Sequence, residues 1–350
     1  MKLLPYLIPM ALAASAFAQS TFTSSLPFSN AKQALQYYPG VNLAAAEFGK
    51  EGELGKKYVY PNDKEFQYFA GKGFKIVRIP FKWERVQPEL RGEFDPANIA
   101  EIDRCVTQAN AAGLVVLLDV HNYGGRKVPG QEKGVAIGMD PALTKEDFND
   151  LWVRFSNRYK GNPMVWFGLM NEPHKVPAKI NAENMQAVVN AIRATGATNK
   201  ILVPGTSYTG AHSWIKSGNA ESFNNFKDSG NNFAFEVHQY LDKDSSGTHP
   251  QSVPGAGTKT MAAFTAWAKQ HHYKAFLGEF GWAIDPASQK EGDDILSFMD
   301  RNKDVFIGYS YWAAGPWWPG TYMYTVEPEG LKVGTPVDRP QMSVLTKHLK

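Results

Sequence analysis

Short apolar runs alternate with longer amphipathic stretches along most of the chain. The runs at 41–46, 76–81, 114–121, 165–171, 201–204, 233–240, 275–279 and 306–312 are four to eight residues long. Their length and their content of Val, Ile, Leu and Phe predict buried strands. Between them, apolar positions recur at helical spacing near 63–72, 97–112, 145–159, 182–195, 259–271 and 288–302, and a last helix is expected near 339–349. The connection 206–230 is loop-rich, with room for one short helix. Asp95-Pro96 supplies an N-cap followed by Pro at the first helical position. Thr144-Lys-Glu-Asp147 resembles a capping box with Asp in place of Glu. Gly113 and Gly196 fall where two helices should end.

Eight strands, each followed by a helical or loop crossover, predict an α/β fold with a parallel sheet and helices outside it. A closed (β/α)₈ barrel, the TIM barrel, is the simplest arrangement of that count, and such barrels routinely exceed the ordinary domain length. An open doubly wound sheet would normally carry a Gly-rich phosphate turn after its first strand, and residues 42–49 have none. No repeat, linker or second composition zone interrupts the pattern, so one catalytic domain is expected over residues 19–350. Residues 1–18 read differently. Lys2, a mostly apolar stretch from Leu3 to Ala14 and Ala16-Phe17-Ala18 form the ordered parts of an export signal. Cleavage near Ala18 would leave Gln19 first and a secreted protein, extracellular or periplasmic. The apolar stretch is too short for a permanent membrane span, and no Cys follows the cleavage site, so no membrane anchor is expected.

Composition narrows the partners. The formal net charge is +3 over 350 residues, which gives no reason to expect a nucleic-acid or anionic-membrane partner. The single cysteine, Cys105, shares a helical face with Ile102, Val106 and Ala109 and reads as a small buried hydrophobe. Eight His are present, but no H-E-x-x-H and no paired Cys, so neither a metal nor another cofactor is expected. Nine Trp, fifteen Tyr and twenty-one Phe exceed what a core usually needs.

Polar and ionisable residues, and at the eighth run a tryptophan, collect where the apolar runs stop, the end of a barrel strand that faces the active site. The second run carries Arg78. The third ends in Asp119-Val-His121-Asn-Tyr123, the fourth in Asn171-Glu172-Pro-His174, the sixth in Glu236-Val-His238-Gln-Tyr240, the seventh in Gly278-Glu279 and the eighth in Trp312. Singly, each has a structural reading: Arg78 as an ion-pair partner, His121 as a satisfied core histidine, Glu172 as a cap. Six of eight strands doing this at one end favours a site. Two glutamates on different strand ends suit glycoside hydrolysis, in which one carboxylic acid protonates the leaving oxygen and the other attacks or stabilises the oxocarbenium-like carbon. Arg78 and Tyr240 are suited to keeping Glu279 ionised, and His238 to proton traffic at Glu172.

These residues carry a resemblance. Gly40-Val-Asn42, Val77-Arg78-Ile-Pro80-Phe81, Asp119-Val-His121-Asn-Tyr-Gly124, Gly168-Leu-Met-Asn171-Glu172-Pro173-His174, Val237-His238-Gln-Tyr240-Leu-Asp242 and Gly278-Glu279-Phe280-Gly281 resemble glycoside hydrolase family 5, in particular its endo-β-1,4-glucanases. The run Ser246-Gly247-Thr248-His249 resembles the same branch, although Pro250 stands where relatives often carry a Cys. The resemblance implies a (β/α)₈ barrel, a retaining mechanism and a β-glucan polysaccharide or oligosaccharide substrate. It implies Glu172 as acid/base, Glu279 as nucleophile and Asn171 as partner of the sugar 2-hydroxyl. It further implies Arg78 and Tyr240 as orienters of Glu279, His121 and His238 as lining residues, and Trp312 as a sugar platform. A monomer is expected.

Around that centre, Trp317 and Trp318, set among Pro316, Pro319 and Gly320, are candidates for stacking on sugar, with Trp282 and Trp214 as further possibilities. Trp83 and Trp166 are assigned to packing. Glu47, near the end of the first run, could reach the cleft. Another β-glycanase, such as a mannanase, xyloglucanase or mixed-linkage glucanase, is the nearest rival function. A non-catalytic carbohydrate-binding barrel and a metal-dependent barrel hydrolase are remote ones.

Overall fold

The computed structural model describes residues 36–49, 52–131 and 133–349. The export signal expected at 1–18 lies outside them. Eight parallel strands close into a barrel: β1 (Tyr38–Leu43), β2 (Ile76–Phe81), β3 (Val115–Val120), β4 (Val165–Gly168), β5 (Ile201–Pro204), β6 (Phe233–His238), β7 (Ala275–Glu279) and β8 (Phe306–Ala314). Each pairs with its neighbours in sequence, and β1 closes the ring against β8 with Tyr38 opposite Gly308. The fold is the single (β/α)₈ barrel expected from the pattern.

The caps hold as well. The Thr144 hydroxyl accepts from the Asp147 amide while the Asp147 carboxylate accepts from the Thr144 amide, and the Asp95 side chain caps the helix that Pro96 opens. Gly113 and Gly196 adopt left-handed φ of 82° and 83° just past their helices, a conformation that costs glycine nothing. Cys105 is fully buried, and burial pushes its thiol up to about 12.

Several boundaries differ from the pattern, among them the strand that stops at Gly168 and the helix that begins at Ala178. β1 starts at Tyr38, because Gly40 lets three strands crowd together. A Cβ there would lie 2.4 Å from the Ile76 Cγ2 and 2.9 Å from the Tyr309 carbonyl oxygen. The last helix shrinks to Met342–Leu345 and a 3₁₀ turn, because 339–341 is held by side chains instead. Arg339 donates to the Glu327 carbonyl, and Gln341 to the carbonyls of Trp282 and Met323. A short hairpin, Gly125–Arg126 with Val135–Ala136, and one helical turn, Trp83–Val86, have no counterpart in the apolar pattern.

The barrel interior is layered. Ile76, Val115, Leu117, Trp166, Leu202, Ala234 and Phe276 form an apolar plug inside the strands. Strand residues of the opposite parity, such as Val77, Val116 and Leu118, join the core shared with the helices. Two residues further along the inward faces the side chains turn polar: Arg78, Asp119 and Glu236. The next inward positions are His121 and His238. Period-two alternation therefore stacks an apolar layer, a charged layer and a site layer.

Candidate active site

Arg78 anchors the charged layer. Its side chain is fully buried, with Nε 3.0 Å from Glu236 Oε1, Nη2 3.1 Å from Asp119 Oδ1 and Nη1 3.1 Å from Glu279 Oε1. The same guanidinium donates to Asn42 Oδ1 at 3.0 Å and Asn171 Oδ1 at 2.8 Å. Five acceptor side chains converge on this guanidinium fork, more than the three donors of a lysine ammonium could engage, although Nε and Asp119 Oδ1 meet their partners as ion pairs without hydrogen-bond geometry.

That fork fixes the amide of Asn171. Arg78 only donates, so Oδ1 must face it, and Nδ2 is left to donate to His121 Nε2 at 3.2 Å. The remaining ring proton of His121 then sits on Nδ1, 2.8 Å from Asp119 Oδ2. Burial, with Lys82, Arg78 and His238 nearby, lowers the His121 pKa well below its ordinary value, so this imidazole is neutral.

Glu279 ends β7. Its Oε2 accepts from the Tyr240 hydroxyl at 2.8 Å, and Arg78 holds Oε1. Burial displaces its pKa upward against the pull of His238, the Glu172 charge adds to that, and Arg78 and Tyr240 oppose it. Glu172 follows β4 in a left-handed conformation (φ 43°), which few non-glycine residues adopt. Its Oε1 lies 2.8 Å from His238 Nδ1. One oxygen of Glu172, His238 Nδ1 and one oxygen of Glu279 all lie within 4.8 Å of one another.

His238 faces Glu172 with one ring nitrogen and Glu236 with the other. Burial by itself would lower its pKa, but Glu279, Glu172 and Glu236 face it and lift it to about 10. That direction favours a protonated ring at neutral pH, with one N–H toward Glu172 and the other toward Glu236.

The aromatic candidates separate. Trp312 is half-buried with its ring over His121, 5.5 Å between centroids and 21° between planes, and the following peptide is cis. Trp318 is engaged by protein: Tyr322 stacks on it at 4.5 Å, and Phe48 packs at 5.0 Å. Trp317 is 37% exposed. Trp214 and Trp282 are fully buried, so they belong to the core and not to the cleft, and Trp83 and Trp166 are buried as assigned. Glu47 is buried with its carboxylate on the Ala45 amide, and burial raises its pKa to about 7.

The loop at 242–249 settles without a disulfide. The buried Asp242 carboxylate accepts from the backbone amides of Gly247, Thr248 and His249. Gly247 packs against the Tyr240 ring, where a Cβ would come within 2.7 Å, so this loop backs the tyrosine that holds Glu279. Asp242, Asp244 and His249 also lie close enough to share a cation, but the loop amides already occupy Asp242.

Residues 38–315 match the cellulase family, glycosyl hydrolase family 5. The chain belongs to that family. This family 5 chain is 41% identical to an endo-beta-1,4-glucanase of Xanthomonas axonopodis pv. citri, over 89% of its own length and 98% of the other's, with a TM-score of 0.84. It is 43% identical to XacCel5A, whose structure is known in complex with cellopentaose, over 90% of this chain and all of that one, with a TM-score of 0.83. Endo-beta-1,4-glucanase B of Aspergillus niger is 33% identical over 293 residues, 83% of this chain and 84% of the relative. The family 5 chain is therefore a glycoside hydrolase.

The sequence places Asp119, Glu236 and Asn42 at strand ends but assigns them no role. Asp119 and Glu236 stand two residues before His121 and His238, so strand alternation puts them one layer below those histidines. Asn42 joins Arg78 to the Gly278 carbonyl, to which it donates at 2.9 Å. Tyr208 had no sequence signal. It lies in a left-handed run, with φ of 56°, 59° and 49° at Ser207, Tyr208 and Thr209, its ring parallel to His174 at 4.6 Å and 53% exposed. If these exposed rings stack on sugar, Trp317→Ala and Tyr208→Ala should each raise KM on oligosaccharides several-fold and leave Tm unchanged. Unaltered kinetics in both would remove them from the substrate path.

Proposed function

We propose that this enzyme is a secreted endo-β-1,4-glucanase that hydrolyses internal bonds with retention of configuration, Glu279 acting as nucleophile and Glu172 as acid/base. The observation that supports the mechanism is that one oxygen of Glu172 stands within 4.8 Å of one oxygen of Glu279, which favours a close pair over a widely spaced one. Retaining pairs stand about 5–5.5 Å apart, whereas inverting pairs need roughly 6.5–9.5 Å to admit a water. The substrate reading rests on the relatives above.

In the first step the Glu172 carboxylic acid gives its proton to the glycosidic oxygen as that C–O bond breaks, and a Glu279 oxygen bonds to the anomeric carbon. In the second, the Glu172 carboxylate takes a proton from water, whose oxygen displaces Glu279 and restores the β configuration. Tyr240 and Arg78 hold Glu279 for attack along one line. Asn171 Nδ2, oriented through Arg78, is the donor available to the sugar 2-hydroxyl.

Proton NMR of the first-formed product tests the stereochemistry, with β-anomer expected from a β-linked substrate. An α-anomer at first appearance refutes double displacement and both role assignments. On a panel of carboxymethylcellulose, glucomannan, xyloglucan and lichenan, the cellulosic substrate should be cleaved best. Stronger turnover of a mannan or xyloglucan would reassign the substrate while leaving the mechanism. For export, N-terminal sequencing of protein from outside the cytoplasm should begin at or near Gln19, and retained Met1 would refute cleavage.

A further inference from the structure

Glu236 belongs to no step of the reaction and has no access to the cleft, yet it touches the partners of both glutamates. Its side chain is 1% exposed, and Oε1 lies 3.0 Å from Arg78 Nε and 3.4 Å from His238 Nε2. Arg78 in turn holds Glu279, and His238 holds Glu172. The neighbouring strand makes space for this bridge. A Cβ on Gly278 would stand 2.2 Å from Glu236 Oε1 and 2.8 Å from His238 Nε2. The second oxygen, Oε2, is buried with no protein hydrogen-bond partner, as is Asp119 Oδ1 in the same layer.

We propose that Glu236 is a positioning residue whose carboxylate, shared between Arg78 and His238, keeps His238 doubly protonated against Glu172 and sets the pH at which Glu279 ionises. This rests on the roles given to Glu172 and Glu279 above.

The charge balance follows from the groups that face this layer. Arg78 and Lys82 come from β2 and its end, Asp119 and His121 from β3 and its end, Glu172 from beyond β4 and His238 from β6. Around Glu279 stand also Glu47 after β1, Tyr123 after β3, Tyr240 after β6 and Tyr322 after β8. Against its burial, Arg78 and His238 hold Glu236 below the usual carboxylate range, so it is an anion. That anion takes a share of Arg78 and disfavours a second negative charge at Glu279, which raises the pH at which Glu279 loses its proton. It is also one of the carboxylates that keep a proton on His238.

The sign of the test is fixed. Glu236→Gln removes one negative charge at constant shape, so Glu279 should ionise at lower pH. The acidic limb of kcat/KM should move down by roughly one pH unit, the size expected for charges several ångströms apart in a partly screened interior. In ¹⁵N-edited NMR of the full-length protein, His238 should be doubly protonated from pH 5 to 8 in the wild type and should lose a proton at lower pH in the variant. Glu236→Asp, which keeps the charge, should leave the limb near its wild-type position even if Tm falls. An unshifted limb in Glu236→Gln, with only Tm or overall rate reduced, would make Glu236 a structural residue and overturn the proposal. Should the Gln variant not fold, wild-type His238 decides: a neutral ring at pH 7 overturns it, and a doubly protonated ring together with an unmoved limb in Glu236→Asp supports it. None of these outcomes alters the product anomer, so a failure here is separable from a failure of the retaining mechanism.

Discussion

Glu279→Ala should reduce turnover of every β-glucan substrate by on the order of 10⁵-fold or more, the loss expected when a covalent nucleophile is removed. The site gives no substitute. Tyr240 is held 2.8 Å from Oε2 as a donor, burial keeps its phenol well above its ordinary pKa, and Glu172 lies on the leaving-group side of the proposed bond. Ala should leave the backbone in place and open a space below the anomeric carbon. Azide can enter that space and attack with the leaving group still protonated by Glu172, giving a glycosyl azide of opposite configuration, the α-azide. Retained activity in Glu279→Ala, or a β-azide from it, would show that another group is the nucleophile.

Glu172→Ala should fail in a different way. On cellulosic substrates the leaving alcohol needs its proton, so the loss should reach about 10²–10⁴-fold. An aryl glycoside with an activated phenolate needs none, and it should still glycosylate Glu279 at a rate near that of the wild type. The second step then lacks its base, so the covalent intermediate should accumulate and appear as a burst of phenolate. Azide needs no base and should release it as the β-azide, with retained configuration. If Glu172→Ala lost activity equally on activated and unactivated substrates, with no burst, the acid/base role would pass elsewhere. His238 cannot supply the base of the second step while it is protonated, because a doubly protonated ring has no free lone pair.

The barrel was legible because each strand run is short and mostly apolar, and because a parallel sheet buries both faces. The candidate site was legible for a related reason: ionisable residues stand on five apolar strands and Trp312 on a sixth, a repetition that no single structural reading accounts for. Aromatic residues carried less. Trp214, Trp282 and Trp317 all stand in loop-like sequence, yet two are core and one is exposed. A tryptophan's neighbours in sequence do not reveal which distant helix or strand will cover it.

By itself, then, the sequence determined the eight-strand alternation, the helix caps at Asp95 and Thr144, and which strand ends carry Glu172 and Glu279. These are local properties, set by side-chain period, backbone preference and hydrogen bonds a few residues apart. Only the tertiary structure decided the partners of Arg78, the orientation of the Asn171 amide and the state of His238. Glu236 and His238 are neighbours on one strand, but Arg78 comes from position 78 and Glu279 from position 279. A pKa depends on charges within a few ångströms, and closing the barrel is what brings those charges together.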